Sequence, residues 1–360
     1  MNEVQDRSEK GWNVGNGRAS RRDRAVSRSR RHAEDAALIV GAPSSRWTDA
    51  LLTEARAQIG GCLNSVELAI TMNITTPSVA ELVDKLGTAY CRGAIEAEPQ
   101  LLGKGLIEHF RLRAALVLVA RNTRDRAVPP EMDGEARGAI LADECDPEGV
   151  LAALNLAEVR WLKQAAPDAP IRADLPADIY ADLIWSAAAL LVQACERQLG
   201  HAIREIVEAI SDATERAAGR HDEATGPFAL ADRFARGTMP NERRRLAMLA
   251  LGERRLLLFA ALAARELRIT LVSALAALLD DVPGGRLALF SAMAVDDLST
   301  LRVLEALAPI DGRALDDEAI ASFIEALRAQ TAGETDAVIA RIAGSTPLVE
   351  RLAMLERAPA

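Results

Sequence analysis

Apolar residues recur along most of this chain at the three- and four-residue spacing of an α-helix. A clear example lies in residues 98–121, where one apolar stripe consists of Leu102, Leu106, Phe110, Ala114 and Val117. No segment of six or more residues shows the strict alternation of a half-buried strand. The pattern therefore predicts an all-α protein.

Glycine and proline residues indicate where the predicted helices end. Two helices are expected at 46–59 and 62–74, with Gly60 and Gly61 interrupting the pattern between them. Further along, helices of 12–18 residues alternate with breaks, one of them at Pro309. The chain therefore reads as a succession of helices joined by short connections.

The longest predicted helix runs from about 175 to 199. Asp174 is its expected N-cap, Pro176 sits in its first turn and Gly200 lies at its end. Its most apolar stretch, at 183–194, is shorter than the roughly 18–20 residues that a membrane span needs. The sequence therefore predicts a core helix and no membrane span.

Two stretches of nine residues nearly match: RLLLFAALA at 255–263 and RLALFSAMA at 286–294. Six of the nine positions agree, including an Arg and a Phe, and Phe occurs only six times in the chain. LVSALAA at 271–277 aligns with VLEALA at 303–308 after one residue of slippage. Two units of two helices each follow, which is typical of a HEAT-like, α-solenoid array of helix pairs. The alternative is a coincidence between two amphipathic helices.

The net charge of the first 33 residues differs from that of the rest of the chain. The apolar share is 49%, aromatic residues are only 3%, and the Ala, Leu, Arg and Glu that dominate favour helices. Nine basic and four acidic residues give the first 33 residues a net charge of +5. Because the whole chain has a net charge of −9, the remaining residues carry −14. The predicted divisions are a disordered basic arm (1–33), an N-terminal helical domain (34–122), a linker containing Pro129-Pro130 (123–147), a C-terminal helical-repeat domain (148–345) and a tail (346–360).

The arm offers charge for an electrostatic contact. Its arginines could bind nucleic acid, an anionic membrane surface or an acidic protein, or the acidic body of the same chain. A solvated tail without a partner is the alternative. The candidate contact residues for an acidic partner or a phosphate are Arg18, Arg21, Arg22, Arg24, Arg28, Arg30 and Arg31.

Cysteine spacing argues against a disulfide framework or a zinc site. The four cysteines, at positions 62, 91, 145 and 195, are 29 or more residues apart. Buried, reduced thiols in a cytoplasmic protein are therefore expected. The polar, basic start of the chain is also unlike a secretory signal.

No reaction can be identified from the sequence. Phosphate-loop, dinucleotide-binding and nucleophile-elbow motifs are missing. The cluster His221-Asp222-Glu223 is expected in a turn between helices, and His109 at the boundary of an apolar stripe. We therefore expect no catalytic residue, no metal ligand and no cofactor, and a protein that is not an enzyme.

Residues 67–86, ELAITMNITTPSVAELVDKL, have the residue pattern of a helix-turn-helix. Pro77, Ser78 and Ala80 would face the bases. However, the second helix offers Glu81 and Asp84 to DNA, which is a polyanion. An ordinary helical hairpin is the preferred interpretation.

Three motifs together resemble a known family. They are ADLPADIYADLIWSAAALLVQA (173–194), RHDEATG (220–226) and GERRLLLFAALAARELRI (252–269). They are similar to the C-terminal half of the alphaproteobacterial helical family called domain of unknown function 2336. The resemblance covers 174–310 and, more weakly, 46–122. It implies a HEAT-like helical fold and no reaction.

These observations predict a non-catalytic helical scaffold that mediates protein–protein interaction in a bacterial cytoplasm. The alternative is a DNA-binding transcriptional regulator that uses residues 67–86 and the basic arm.

Overall fold

The computed structural model of the protein describes residues 47–97, 101–124, 147–162, 169–199, 203–279, 282–311 and 316–343. Their regular secondary structure is helical, which confirms the all-α prediction. The α-helices of these ranges are α1 Asp49–Thr71, α2 Pro77–Leu86, α3 Tyr90–Ala97, α4 Lys104–Arg124, α5 Pro147–Leu162, α6 Ala177–Leu199, α7 Ile203–Ala218, α8 Pro227–Gly237, α9 Pro240–Gly252, α10 Leu256–Leu267, α11 Leu271–Leu278, α12 Gly285–Met293, α13 Asp297–Asp311, α14 Asp317–Ala329 and α15 Ala332–Ala343.

Helix α1 lies at the centre of the core. It packs against α3, α4, α6 and α7, and it also contacts α13 near the other end of the chain. α4 packs on α13 as well. Helices from both sides of the predicted linker therefore pack on each other, while most of that linker, residues 125–146, lies outside the described residues.

The two matching nine-residue stretches both open helices. The first begins α10 and the second begins α12, and these two helices are in contact. Their shared phenylalanines, Phe259 and Phe290, meet edge to face with ring centres 6.3 Å apart. α13, by contrast, packs on α4 and α9. The HEAT-like arrangement of helix pairs stays a prediction.

The predicted break at Gly60-Gly61 is wrong, because α1 continues through both glycines for 23 residues. Both glycines lie against other parts of the chain, and a Cβ at Gly60 would lie 2.8 Å from the Arg92 Nε. The non-helical segment 169–176 crosses α1 here, and the amide of Ile171 donates to the Gly61 carbonyl at 2.9 Å. A Cβ at Gly61 would overlap the Ile171 side chain, lying 3.0 Å from its Cβ.

Replacing Gly61 with alanine is therefore expected to lower the free energy of unfolding by about 1 kcal/mol, because overpacking outweighs the better helix propensity of alanine. Gly93 is the matched control, since it lies in α3 with nothing within 4 Å of a Cβ. There the same change should raise the free energy of unfolding by up to about 1 kcal/mol. Urea denaturation measures both; changes of the same sign would contradict this explanation.

Helix α6 is the apolar helix that the sequence predicts. Its segment Ala177–Gln198 has 22 residues, an 18-residue window of it has a mean hydropathy of 1.3, and by length and composition it could cross a membrane. This segment is longer than 183–194, the stretch considered in the sequence. Within the protein, α6 packs against α1, α2, α3, α4 and α7. The absence of a membrane span stays a prediction.

The cysteines behave as expected where the structure describes them. Cys62, Cys91 and Cys195 are free and buried. Burial raises the pKa of each of these thiols above its usual value, so they stay protonated. The prediction of buried, reduced thiols is confirmed for these three, and Cys145 lies outside the described residues.

Candidate functional site

Two of the three motifs behind the family resemblance meet in space. The turn 220–226, between α7 and α8, lies against the start of α6. The His221 ring stacks on Tyr180 with ring centres 3.8 Å apart, and its Nε2 hydrogen-bonds the Leu175 carbonyl at 2.8 Å. Glu223 accepts a hydrogen bond from the Ala177 amide at 2.7 Å. His221 therefore lies in the expected inter-helix turn, where it and Glu223 support a helix start.

The prediction of Asp174 as the N-cap of α6 is wrong. Because Glu223 already accepts from the first amide of α6, Asp174 turns inward instead. Its carboxylate is buried and accepts from the Arg172 Nε at 2.9 Å, with Arg160 at 3.9 Å. Asp174 thus belongs to a charged cluster behind the helix start.

That cluster borders a cleft between α4, α5 and the segment 169–176. The cleft has a volume of about 160 Å³. Its lining residues are Arg113, Arg160, Trp161, Pro170, Ile171, Arg172 and Asp174.

Arg113 forms the base of the cleft and is only 1% exposed. Its guanidinium carbon lies 4.7 Å from the centre of the Trp161 ring, a cation–π distance. Its Nη1 is 3.9 Å from the Cys62 sulfur. Burial raises the pKa of that thiol, so Cys62 supplies no negative charge. Within the described ranges, no carboxylate lies within 4.0 Å of Arg113.

The cleft therefore carries excess positive charge and unmet donors. Three arginines face one carboxylate. The Nε of Arg113 and the indole Nε1 of Trp161 are buried without a hydrogen-bond partner in the described part of the chain. An acceptor carrying negative charge would satisfy both features.

A second feature is a concentration of arginine on α8, α9 and α10. Residues 227–270 contain nine arginines and four acidic residues, a net charge of +5 in a chain of −9. We call five of these arginines the arginine face: Arg236, Arg244, Arg245, Arg265 and Arg268. Asp232 joins Arg236 and Arg265 at 3.0 and 2.7 Å, and Glu266 binds Arg244 at 3.0 Å.

The predicted helix-turn-helix segment 67–86 consists of the end of α1, a turn and α2. Glu67 points into the protein, where it accepts from the Cys91 amide at 2.7 Å. Ser78, at a proposed base-facing position, donates to Glu205 of α7 at 3.2 Å. The surface around this position is acidic, which opposes phosphate binding.

The remaining residues singled out in the sequence are the arginines of the basic arm and His109. Arg18, Arg21, Arg22, Arg24, Arg28, Arg30 and Arg31 lie outside the described residues. His109, predicted at the boundary of the apolar stripe, is instead buried in the protein core, with its ring centre 4.7 Å from that of Phe228.

Arg113 was not among the site residues predicted from the sequence. Its signal was an arginine within the run of small and aliphatic residues that forms the stripe of α4.

Comparison with known proteins adds no relative. No protein-family model matches the chain. No curated protein matches it. No solved structure matches it either. The resemblance to domain of unknown function 2336 therefore stays a prediction.

Proposed function

We propose that the protein is a non-catalytic helical scaffold of the bacterial cytoplasm that binds an acidic protein partner through the arginine face. The observation that carries this proposal is the net charge of +5 on residues 227–270 of an otherwise acidic chain. Outside this segment and the basic arm, the chain carries a net charge of −19. Such a separation of charge steers and orients an acidic partner.

The arginine face also has the residue types of a protein interface. Met239 is 63% exposed and Leu249 is 53% exposed, both on or beside α9, which also carries Arg244 and Arg245. Arginine, methionine and other large side chains are enriched where proteins meet. A surface that binds nucleic acid would need no exposed apolar side chains between its arginines.

A cleft of about 330 Å³ opens at the edge of this face beside Arg265 and Arg268. The hydroxyl groups of Thr270 and Ser273 also line it. An acidic side chain of the partner would find Arg268 here, beside Arg265, which also pairs with Asp232. The face thus offers both a charged rim and a concave contact.

In the first step of the test, the full-length protein is used as bait to isolate its partner from a nuclease-treated lysate of its native bacterium. The partner is identified and purified, and calorimetry gives its dissociation constant. The double variant R244E/R245E should weaken binding by at least about tenfold, because like charges then oppose across the interface. The control R197E/R204E makes the same charge change on exposed residues of α6 and α7 and should stay within about twofold.

Two outcomes would overturn the proposal. One is equal binding by R244E/R245E and the native protein. The other is seen in a parallel lysate without nuclease: recovery of nucleic acid and no protein partner, abolished by nuclease and by removal of residues 1–33, which would support the DNA-binding alternative. We expect the protein partner to be retained when residues 1–33 are removed.

A further inference from the structure

We propose that the cleft between α4, α5 and the segment 169–176 binds a small oxyanion, the charged group of a phosphate or a carboxylate. This inference concerns a ligand site and is independent of the partner-binding face. Arg113, Arg160, Arg172 and Trp161 would hold the ion. It would sit above the guanidinium of Arg113.

The burial of Arg113 is the first argument. A buried cation is strongly destabilising unless a negative charge or several acceptors compensate it. The indole ring of Trp161 supplies part of that compensation. The Cys62 thiol is neutral, and Asp174 is engaged by Arg172 and Arg160. A bound anion would supply the missing charge.

Two buried donors also support a ligand at this place. Arg113 Nε and Trp161 Nε1 are both buried and have no hydrogen-bond partner among the described residues, and both residues line the same cleft. Each oxygen of an oxyanion accepts hydrogen bonds of this kind, and those made to an ion are roughly twice as strong as neutral ones. One ion could therefore satisfy donors from two helices.

The rim of the cleft is already ordered for such a ligand. Arg172 Nη2 donates to the Thr225 hydroxyl at 2.7 Å, and Arg160 Nη2 donates to the Thr225 carbonyl at 3.3 Å. The turn that supports α6 thus also fixes the two outer arginines. Little side-chain entropy would be lost when they bind an anion.

The size of the cleft limits the ligand. Its volume of about 160 Å³ is well below the roughly 300–1,000 Å³ of sites for drug-sized molecules. Inorganic phosphate or a short carboxylate fits this space. A larger ligand would place only its charged group inside, with the remainder outside the cleft.

The experiment is a titration of the full-length protein with sodium phosphate and, separately, with sodium acetate, at constant ionic strength of about 0.1 M. Calorimetry gives the affinity, and tryptophan fluorescence reports on Trp161, with a W161F variant to assign the signal. Saturable one-to-one binding is expected for at least one anion. Binding of phosphate alone identifies a phosphoryl ligand, and binding of acetate alone a carboxylate.

Variants decide whether the cleft is the site. R160A/R172A removes exposed side chains that also pair with the buried Asp174 carboxylate, so circular dichroism and urea denaturation first check that the variant is folded. We expect it, and R113M, to weaken binding by at least about tenfold, the effect of losing one charge-assisted hydrogen bond. R204A is the control and should bind as the native protein does. Failure of both anions to saturate, or equal binding by R160A/R172A, would overturn the proposal.

Discussion

Replacing Arg286 with alanine is expected to lower the free energy of unfolding by about 3 kcal/mol, because it breaks a buried ion pair. The Arg286 side chain is 6% exposed and makes two hydrogen bonds to Asp311, at 2.7 and 2.9 Å. Its Nε also donates to the Leu278 carbonyl at 2.7 Å. One guanidinium thus joins the end of α11, the start of α12 and the end of α13.

The loss is large because two groups, the Leu278 carbonyl and the Asp311 carboxylate, lose their partner together. Leu278 ends α11, where carbonyl oxygens have no acceptor role left within the helix. Asp311 places a negative charge at the carboxyl end of α13, which is unfavourable without a nearby cation. Alanine would leave both unpaired and would also open space among buried residues.

Urea denaturation of the full-length protein measures this effect, and Arg255 is the control. Arg255 is the matching residue of the other nine-residue stretch, and it makes one hydrogen bond to Glu158 at 3.0 Å. The Arg255→Ala change should cost about 1 kcal/mol, as for partly exposed ion pairs. Equal losses for the two variants would show that the Arg286 network does not stabilise the fold as described.

These two arginines show what a sequence match can and cannot predict. The nine-residue match correctly indicated that both stretches belong to helices, since helix formation depends on local residues. It could not indicate that Arg255 binds α5 while Arg286 binds α13. Those partners depend on how distant helices pack, and the same letters therefore have different contacts.

Helix type and order were predictable because the 3.6-residue period is local. The long apolar helix was predicted at 175–199 and the structure has Ala177–Leu199. Proline was less informative, because Pro309, predicted as a break, lies within the last turn of α13. A proline near a helix end removes few hydrogen bonds, and α13 continues to Asp311.

The errors occur where residues far apart in the chain come together. Gly60-Gly61 was predicted as a break between helices, but the segment around Ile171, over 100 residues later, crosses α1 at Gly61. Asp174 was predicted as the N-cap of α6, but Glu223 accepts the hydrogen bond from the first amide of that helix. In both cases the local rule was correct for an isolated helix, and a tertiary contact replaced it.

The cleft was not predictable for the same reason. Arg113, Trp161 and Arg172 lie on three separate segments, and none forms a spacing motif with another. The sequence signal was limited to charged residues inside an apolar stripe. Such residues are uncommon in cores and indicate a role that packing alone does not explain.

His109 gives the second large prediction: native stability should fall by about 2 kcal/mol between pH 7 and pH 5 because of this one residue. Burial, with a smaller effect from Arg113, lowers the pKa of His109 to about 3. The imidazole lies against Phe110 and Phe228, and its Nε2 has no hydrogen-bond partner among the described residues. It is therefore neutral in the native protein.

The direction of the pH effect follows from the protonation of His109 in the unfolded and native states. Below a pH of about 6.5 the unfolded chain binds a proton at His109, and the native protein does not until the pH nears 3. Each pH unit in that interval therefore lowers the free energy of unfolding by about 1.4 kcal/mol, and the effect is absent above a pH of about 7.

Urea denaturation of the native protein and of His109→Leu at pH 7 and pH 5 isolates this effect. Leucine has a similar volume and no titrating group, and of the two ring nitrogens that it removes, Nε2 has no partner to lose among the described residues. Carboxylates titrate in both proteins, so the difference between their pH dependences belongs to His109. We expect the variant to lose about 2 kcal/mol less than the native protein on acidification. If the two proteins lose the same stability, His109 is reached by water or by an acceptor that stabilises its charge, and the packing of α4 against Phe228 is looser than described.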